Sequence, residues 1–268
     1  MDETTQEPTQ PATLRVALAQ LNATDDPRQN LALVRDRARQ AAEQGARLVV
    51  FPEATMANFT VDPRTVAEPL DGPFADGIRE IARECGALLV VGVFTPAADG
   101  RVHNTLLVTD GGPVDERYDK IHLYDAFRTR ESKTVAPGQR LVVIDALGTR
   151  IGLATCYDVR FAAQFTELGR QGAELICLPA SWQDGPRKSE QWELLVRSRA
   201  MDAQAILLAA DQAAQDTGGK KPLGVGHSLV AGPLGEVLAQ AGDQAQLLVA
   251  DLDLSVVAKA REAVPILR

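Results

Sequence analysis

The chain has 268 residues, of which 45% are hydrophobic and 24% are charged, and its formal net charge is −8. This composition is typical of a globular protein that is long enough to bury a large core. The negative charge argues against nucleic acids and anionic membranes as partners, because both bind basic protein faces.

Metal and nucleotide sites find no support in the sequence. The three histidines are far apart, and neither an H-E-x-x-H nor a C-x-x-C motif occurs. No Walker loop or G-x-G-x-x-G follows a strand, so we expect no metal and no cofactor. The three cysteines are widely spaced and odd in number, which favours a reducing cytoplasm over a disulfide framework.

The first residues differ in character from the rest. Residues 1–12 are polar and acidic and lack the apolar stretch of a signal peptide, so we predict a disordered N-terminal tail. No apolar run approaches the ~20 residues that span a bilayer. We predict that residues 13–268 form a single domain.

From residue 14 onward, short apolar runs alternate with amphipathic stretches of helical period. The strands predicted outside hairpins cover 14–21, 47–51, 87–94, 174–178, 205–210 and 246–252. Turn signals predict three hairpins, at 102–118, 141–155 and 227–239. The predicted helices cover 27–45, 73–85, 156 to about 170, 190–204 and a short stretch that ends near 260.

Two passages repeat the same pattern. Residues 45–52 read Gly-Ala-Arg-Leu-Val-Val-Phe-Pro, and residues 172–179 read Gly-Ala-Glu-Leu-Ile-Cys-Leu-Pro. Each follows a strand and a helix, which indicates two similar halves, each a sheet with helices on one face. Because two such sheets must bury their bare faces, we predict an α/β fold of four layers, an α-β-β-α sandwich.

Cys156 ends the apolar run 151–155, and a polar turn follows it. The pattern predicts a buried strand that delivers the cysteine to a strand-to-helix corner, where the next backbone N–H groups face whatever the sulfur attacks. A lone cysteine is more often an inert core residue, which is our interpretation of Cys85 and Cys177.

Three other residues could assist such a thiol. His122 could be the base of a papain-like pair. Glu53 follows a strand and a proline, and a partly desolvated carboxylate there could also act as the base. Lys120 could stabilise an oxyanion and lower the pKa of the thiol below its free value of ~8.5. Taken singly, each of them also fits an ordinary structural or surface role.

Three blocks of the sequence resemble the signature motifs of the nitrilase superfamily of carbon–nitrogen hydrolases. They are 51–53 (Phe-Pro-Glu), 117–123 (Arg-Tyr-Asp-Lys-Ile-His-Leu) and 156–161 (Cys-Tyr-Asp-Val-Arg-Phe). Their order and intervals agree with that family, and the resemblance extends from about residue 14 to the end. The family's fold is the sandwich predicted above.

The resemblance implies a role for each residue of the site. Glu53 would be the general base, Lys120 the oxyanion-stabilising cation and Cys156 the nucleophile. Glu131 would orient Lys120 or the substrate amine, and the backbone N–H of Tyr157 would be the second oxyanion donor. Trp182 is a candidate for the pocket wall, Arg160 could hold the corner by an ion pair, and four arginines could bind a substrate carboxylate: Arg128, Arg130, Arg197 and Arg199.

Within the superfamily, the pair Tyr157-Asp158 favours an amidase, because nitrilases carry Trp-Glu after the cysteine. The chain is most similar to the omega-amidase and deaminated-glutathione amidase branch, which implies the amide of a small carboxylate-bearing molecule as substrate. Two departures concern Ala163, where the branch commonly has Glu, and the segment 180–191, which is one residue longer and differs in sequence.

Several alternatives stay open at this point. The chain could be a nitrilase or an N-carbamoyl-amide hydrolase of the same superfamily, a papain-like hydrolase that uses His122, or a catalytically silent binding protein. The family resemblance also implies a homodimer formed through the helix after the cysteine. A small-molecule amide is the expected partner.

Overall fold

Two six-stranded sheets form the centre of the structure, a computed structural model that describes residues 13–127, 129–215 and 223–268. The predicted tail at residues 1–12 and the candidate Arg128 lie outside the described residues. The first sheet contains β1 Thr13–Gln20, β2 Leu48–Val50, β3 Leu88–Pro96, β4 Val102–Thr109, β5 Asp115–Asp119 and β12 Gln246–Asp253. The second sheet contains β6 Val143–Ala146, β7 Thr149–Leu153, β8 Leu175–Ala180, β9 Ile206–Asp211, β10 Leu229–Ala231 and β11 Val237–Gln240.

The two sheets repeat one strand order, which agrees with the two similar halves predicted from the sequence. The order is β12-β1-β2-β3-β4-β5 in the first sheet and β6-β7-β8-β9-β10-β11 in the second. In each sheet the strands joined through helices pair in parallel and the hairpin strands pair antiparallel. Strand β12 comes last in the chain but joins the first sheet, where it pairs antiparallel with all eight residues of β1.

Helices cover the outer face of each sheet. They are α1 Pro27–Glu43 and α2 Pro73–Cys85 on the first sheet and α3 Ala162–Arg170 and α4 Lys188–Ala203 on the second. The fifth helix, α5 Ser255–Ala263, instead packs Val257 against the apolar cluster between the sheets. Helix α1 begins where the Asp26 carboxylate accepts a hydrogen bond from the N–H of Arg28, and α2 ends at Gly86 in a left-handed conformation. None of the helices in the described part of the chain is long and apolar enough to cross a membrane.

Three apolar layers result, and they confirm the predicted four-layer α-β-β-α sandwich. One lies between the first sheet and α1 and α2, one between the two sheets, and one between the second sheet and α3 and α4. Trp192 on α4 is fully buried in the third layer. A side chain of this kind contributes roughly 1.5–3 kcal/mol when it is fully buried.

Two local predictions differ from the structure. The segment after Cys156 is a 3₁₀ helix, Cys156–Arg160, and the α-helix begins only at Ala162. Cys177 is buried between the sheets as expected, but Cys85 is only half-buried because it lies at the end of α2.

The topology places the ends of several strands at one edge of the sandwich. Glu53 lies three residues after β2, Lys120 directly after β5, Cys156 three residues after β7 and Ser181 directly after β8. All four line a single cavity of about 390 Å³. This is the edge at which α/β proteins commonly bind their ligands.

Candidate active site

Glu53 lies at the floor of the cavity and is 1% exposed. Its Oε1 atom accepts hydrogen bonds from Lys120 Nζ at 2.8 Å and from Asn104 Nδ2 at 2.8 Å, and its Oε2 atom accepts one from the backbone N–H of Ser181 at 3.0 Å. The loop that carries Glu53 rests against Gly92 of β3, where a Cβ atom would lie 2.7 Å from the nitrogen of Ala54. The carboxylate is therefore fixed by donors from both sheets.

Lys120 is 2% exposed and contacts two carboxylates. Its Nζ atom lies 2.8 Å from Glu53 Oε1 and 3.0 Å from Glu131 Oε2. Burial by itself lowers the pKa of Lys120, but the charges of Glu131 and Glu53 together raise that pKa well above its usual value. The side chain is therefore a permanent cation, and it donates hydrogen bonds to Glu53 Oε1 and to both carboxylate oxygens of Glu131.

Glu131 begins a short 3₁₀ helix, Glu131–Lys133, and reaches back toward Lys120. Its Oε2 atom also accepts a hydrogen bond from the backbone N–H of Tyr124 at 2.6 Å. Arg101 supports this segment by donating to the carbonyl oxygens of Ser132 and Val135. Glu131 thus contacts the ammonium of Lys120, and its role in orienting Lys120 or the substrate amine stays a prediction.

Cys156 occupies the predicted corner in a strained conformation. Its φ angle is +46°, in the left-handed region that side chains other than glycine rarely adopt. The Asp158 carboxylate stabilises the corner by accepting the backbone N–H of Thr155 at 2.9 Å and the hydroxyl of Tyr118 at 2.6 Å. The backbone N–H of Tyr157 comes directly after this sharp turn of the chain at Cys156.

The pKa of the Cys156 thiol is raised in the structure, whereas the sequence led us to expect that Lys120 would lower it. Burial and the Glu53 charge raise it well above its usual value, and a hydrogen bond from the thiol to Glu53 adds to this. Lys120 and the N–H of Ser181 lower the same pKa but do not outweigh burial and Glu53. Cys156 therefore rests as a neutral thiol whose proton faces a carboxylate.

Trp182 forms part of the cavity wall, as predicted, and is 3% exposed. Its backbone N–H donates to Asp211 Oδ1 at 2.7 Å, and its indole N–H donates to the carbonyl of Lys188 at 3.0 Å. Arg160 makes no ion pair among the described residues, contrary to the expectation for it. It donates instead to Gln191 at 3.1 Å and lies over the Trp182 ring at 4.9 Å.

The arginine candidates separate by position. Arg130 is exposed and lines the cavity. Arg197 and Arg199 are not among the described residues that line it. Arg197 donates to the carbonyl of Gly235, and Arg199 pairs with Asp202 at 2.8 Å.

His122 is engaged away from the thiol. Its backbone N–H and its Nδ1 atom each lie 2.9 Å from Asp158 Oδ1, and its ring stacks on Phe161 at 3.6 Å. His122 is not one of the described residues that line the cavity. The geometry therefore gives it a structural role at the corner and no role as the base of a papain-like pair.

Sequence reasoning missed three residues of this site. Asn104 is a buried amide of strand β4 that lies between His103 and Thr105, so no feature of the pattern distinguishes it from its polar neighbours. Ser181 and Lys188 lie in or next to the irregular segment between β8 and α4, where no periodicity guides a prediction. In the described ranges of the chain, no group of three or more His, Cys, Asp or Glu side chains is arranged to hold a metal ion.

Comparison with known proteins shows to which family the chain is similar. A family model described as carbon-nitrogen hydrolase matches residues 15–262. Hydrolase Rv0480c of Mycobacterium tuberculosis is 52% identical over 267 residues, with 95% of each chain covered. Human omega-amidase NIT2 is 34% identical, covering 95% of this chain and 94% of its own. The deaminated glutathione amidase of Escherichia coli O157:H7 is 32% identical, covering 94% and 95%.

Solved structures share the fold. Saccharomyces cerevisiae Nit3, a member of branch 10 of the nitrilase superfamily, superposes with a TM-score of 0.82 at 27% identity, and 96% of each chain is covered. A mutant amidase from Nesterenkonia sp. AN1 superposes with a TM-score of 0.78 at 28% identity, covering 93% of this chain and 94% of its own. That structure shows covalent addition of the acetamide moiety of fluoroacetamide at the active-site cysteine.

Proposed function

Because the chain belongs to the carbon–nitrogen hydrolase family, we propose that it hydrolyses the amide bond of a small carboxylate-bearing molecule through a thioester on Cys156. The observation that carries the proposal is the buried carboxylate of Glu53. It lines the same cavity as Cys156, its charge raises the pKa of that thiol, and it lies 2.8 Å from the Lys120 ammonium. A base, a nucleophile and a fixed cation thus meet in one cavity.

In the first half of the reaction, the amide carbon enters between the sulfur and the cation. Glu53 takes the thiol proton as the sulfur–carbon bond forms, and the carbonyl oxygen takes the electron pair. Lys120 and the N–H of Tyr157 donate hydrogen bonds to that oxygen. Glu53 then gives its proton to the nitrogen, which leaves as ammonia or an amine. Loss of one oxyanion donor typically reduces kcat by ~10²–10³-fold.

The second half returns the enzyme to its starting state. Water gives a proton to Glu53 and attacks the thioester carbon, and the sulfur leaves with its bonding electrons. It recovers a proton from Glu53, so the net reaction consumes one water and releases an acid. The raised pKa of the Cys156 thiol fits this cycle, because the proton leaves only as the sulfur attacks.

Glu131 acts through Lys120 in this scheme. It lies 3.0 Å from Nζ and is 8% exposed, and its own segment is anchored through Arg101. Because the lysine is held from two sides, its ammonium has a fixed position beside the oxyanion.

The preference for an amide over a nitrile or an N-carbamoyl group is also part of the proposal. It is supported by the omega-amidase and deaminated glutathione amidase relatives and by the Tyr157-Asp158 pair. Ammonia release from matched amides, nitriles and N-carbamoyl compounds distinguishes the three substrate classes.

The deciding experiment traps the thioester. Glu53 serves both halves of the reaction, so the wild-type protein is quenched in acid during turnover of a slow amide, and intact-protein mass spectrometry should then show an acyl group on Cys156. Cys156→Ala should show neither adduct nor turnover, and His122→Ala should retain turnover. The mechanism is wrong if no amide gives an adduct and Cys156→Ala remains active.

We further propose a homodimer in the cytoplasm. The face that would form the interface, around α3 and α4, exposes three large apolar side chains: Phe161, Leu194 and Met201. A catalytic thiol also requires a reducing compartment to stay active. Sedimentation of the wild type and of Leu194→Asp tests the interface, since the charged variant should be monomeric.

A further inference from the structure

Lys188 presents its ammonium group to the cavity that contains Cys156. It is the first residue of α4 and is half-buried. Its Nζ atom lies 4.6 Å from the centre of the Phe127 ring and 5.2 Å from that of Trp182. Such cation–π contacts hold the ammonium at the cavity wall without neutralising its charge.

Among the described residues, Lys188 takes part in no ion pair, although acidic side chains lie close to it in sequence or across the cavity. Glu190, two positions along the same helix, pairs with Arg187 at 3.0 Å. Asp62, which also lines the cavity, pairs with Arg64. The lysine is therefore a partly desolvated cation, and these two neighbouring carboxylates are already paired with arginines.

The pKa of Lys188 also reflects a partly buried positive charge that lacks an ion pair among the described residues. Burial is the main cause that lowers it, and the neighbouring charge of Arg160 lowers it further. A negative charge on Cys156 raises it, so the two side chains lie within electrostatic reach of each other. An anion bound beside the ammonium would compensate for the partial burial of its charge.

We propose that Lys188 binds the carboxylate of the substrate, at the end of the molecule remote from the amide that Cys156 attacks. This inference rests on the proposed function and narrows its substrate class to monoamides of short dicarboxylic acids. Phe59, Val135 and Leu223 also line the cavity and provide apolar surface for the methylene groups between the two ends.

Two arginines are the competing cations. Arg130 lines the cavity but is exposed, and its charge already acts on Asp125. Arg160 is committed to Gln191 and to the face of Trp182, and it is absent from the described lining of the cavity. Lys188 combines partial burial, position in the cavity and an unpaired charge, so it is the stronger carboxylate site.

The kinetic test compares succinamate with butyramide, which differ only in a terminal carboxylate against a methyl group. Wild-type protein should prefer succinamate. Lys188→Gln should reduce the ratio of the kcat/KM values for succinamate and butyramide about 10- to 100-fold, the range expected for a lost hydrogen bond to a charged group. Lys259→Gln, an exposed site on α5, is the matched control for net charge and should leave this ratio unchanged.

A binding measurement separates this inference from the proposed reaction. In a Cys156→Ala background, calorimetry should show succinamate binding about 10- to 100-fold more weakly when Lys188 is also changed to Gln. If wild-type protein turns over neither amide but this difference is present, the reaction is wrong and the carboxylate site stands. Equal losses for both amides, or a preference abolished by Arg130→Gln alone, would overturn the role of Lys188.

Discussion

Lys120 Nζ lies 2.8 Å from Glu53 Oε1, and neither side chain is more than 2% exposed. The same ammonium neutralises Glu131 at 3.0 Å. Replacement of Lys120 by Met would leave two buried carboxylates without a counter-charge. We expect Lys120→Met to lose about 3–5 kcal/mol of unfolding free energy in denaturant titrations, in addition to its activity. Lys259→Met, at an exposed position, should stay within ~0.5 kcal/mol of the wild type; similar values for both variants would contradict the buried network.

The absence of a side chain at Gly92 allows the Glu53 loop to pack against β3. A Cβ atom there would lie 2.8 Å from the carbonyl oxygen of Pro52 and 3.0 Å from the Cα of Glu53. Gly92→Ala should therefore displace the carboxylate and reduce kcat/KM by about 10²-fold, with a stability loss of about 1–3 kcal/mol. Gly112→Ala is the control, because its new Cβ meets ordinary contacts at 3.4 Å. Unchanged kinetics in Gly92→Ala would show that the loop adapts.

The ionisation of Cys156 can be followed through its alkylation rate. A thiol with a raised pKa keeps its proton to higher pH, so the thiolate fraction of the wild type at neutral pH is small. Glu53→Gln removes a negative charge that raises this pKa and leaves Lys120, which lowers it. The pH profile of iodoacetamide labelling should therefore shift to lower pH in this variant. Peptide mass spectrometry assigns the site, and buried Cys177 should stay unlabelled while the protein is native. A shift to higher pH would refute the balance of charges described above.

Asp211 gives stability an unusual pH dependence. Burial is the main cause that raises its pKa well above the usual value, although the N–H groups of Trp182 and Val225 oppose the shift. A carboxyl group of this kind binds its proton more tightly in the folded state. Its contribution is therefore complete below the usual carboxyl pKa of 3.8 and is lost as the pH rises through the raised value.

Asp211→Asn removes this titration. The difference in unfolding free energy between wild type and Asp211→Asn should therefore favour the wild type most at acidic pH and shrink as the pH rises. Denaturant unfolding at several pH values measures it, and Asp145→Asn, at a side chain that is 85% exposed, is the matched variant for loss of a surface carboxylate. A constant difference for Asp211→Asn would mean that its pKa is not shifted.

Much of the site could be predicted because its residues follow strands that are readable as apolar runs. Glu53 and Cys156 follow such runs, and the parallel pairing of β2 with β1 and of β7 with β8 brings those strand ends to one edge. Lys120 instead follows the polar strand β5, which pairs antiparallel with β4 and was predicted from a hairpin turn. Glu131 lies in no such position, and the motif resemblance alone pointed to it. The four-layer fold followed from a repeated pattern and from the need to bury two bare sheet faces.

The remaining features depend on distances that only the folded chain sets. The sign of the Cys156 pKa shift depends on how burial and Glu53 balance Lys120, and the sequence does not give those separations. The N–H of Ser181 reaches Glu53 across 128 positions of the chain. Lys188 became recognisable only because the structure shows that the nearby acids pair with arginines.

Strand β12 has a consequence for the order in which the protein can fold. Residues 246–253 complete the first sheet by pairing with residues 13–20, so a growing chain cannot finish that sheet until residues 246–253 have left the ribosome. The segments that carry Glu53 and Lys120 are synthesised early and must wait, with one edge of their sheet unpaired. Completion of the sheet whose strands lead to Glu53 and Lys120 therefore depends on the synthesis of strand β12.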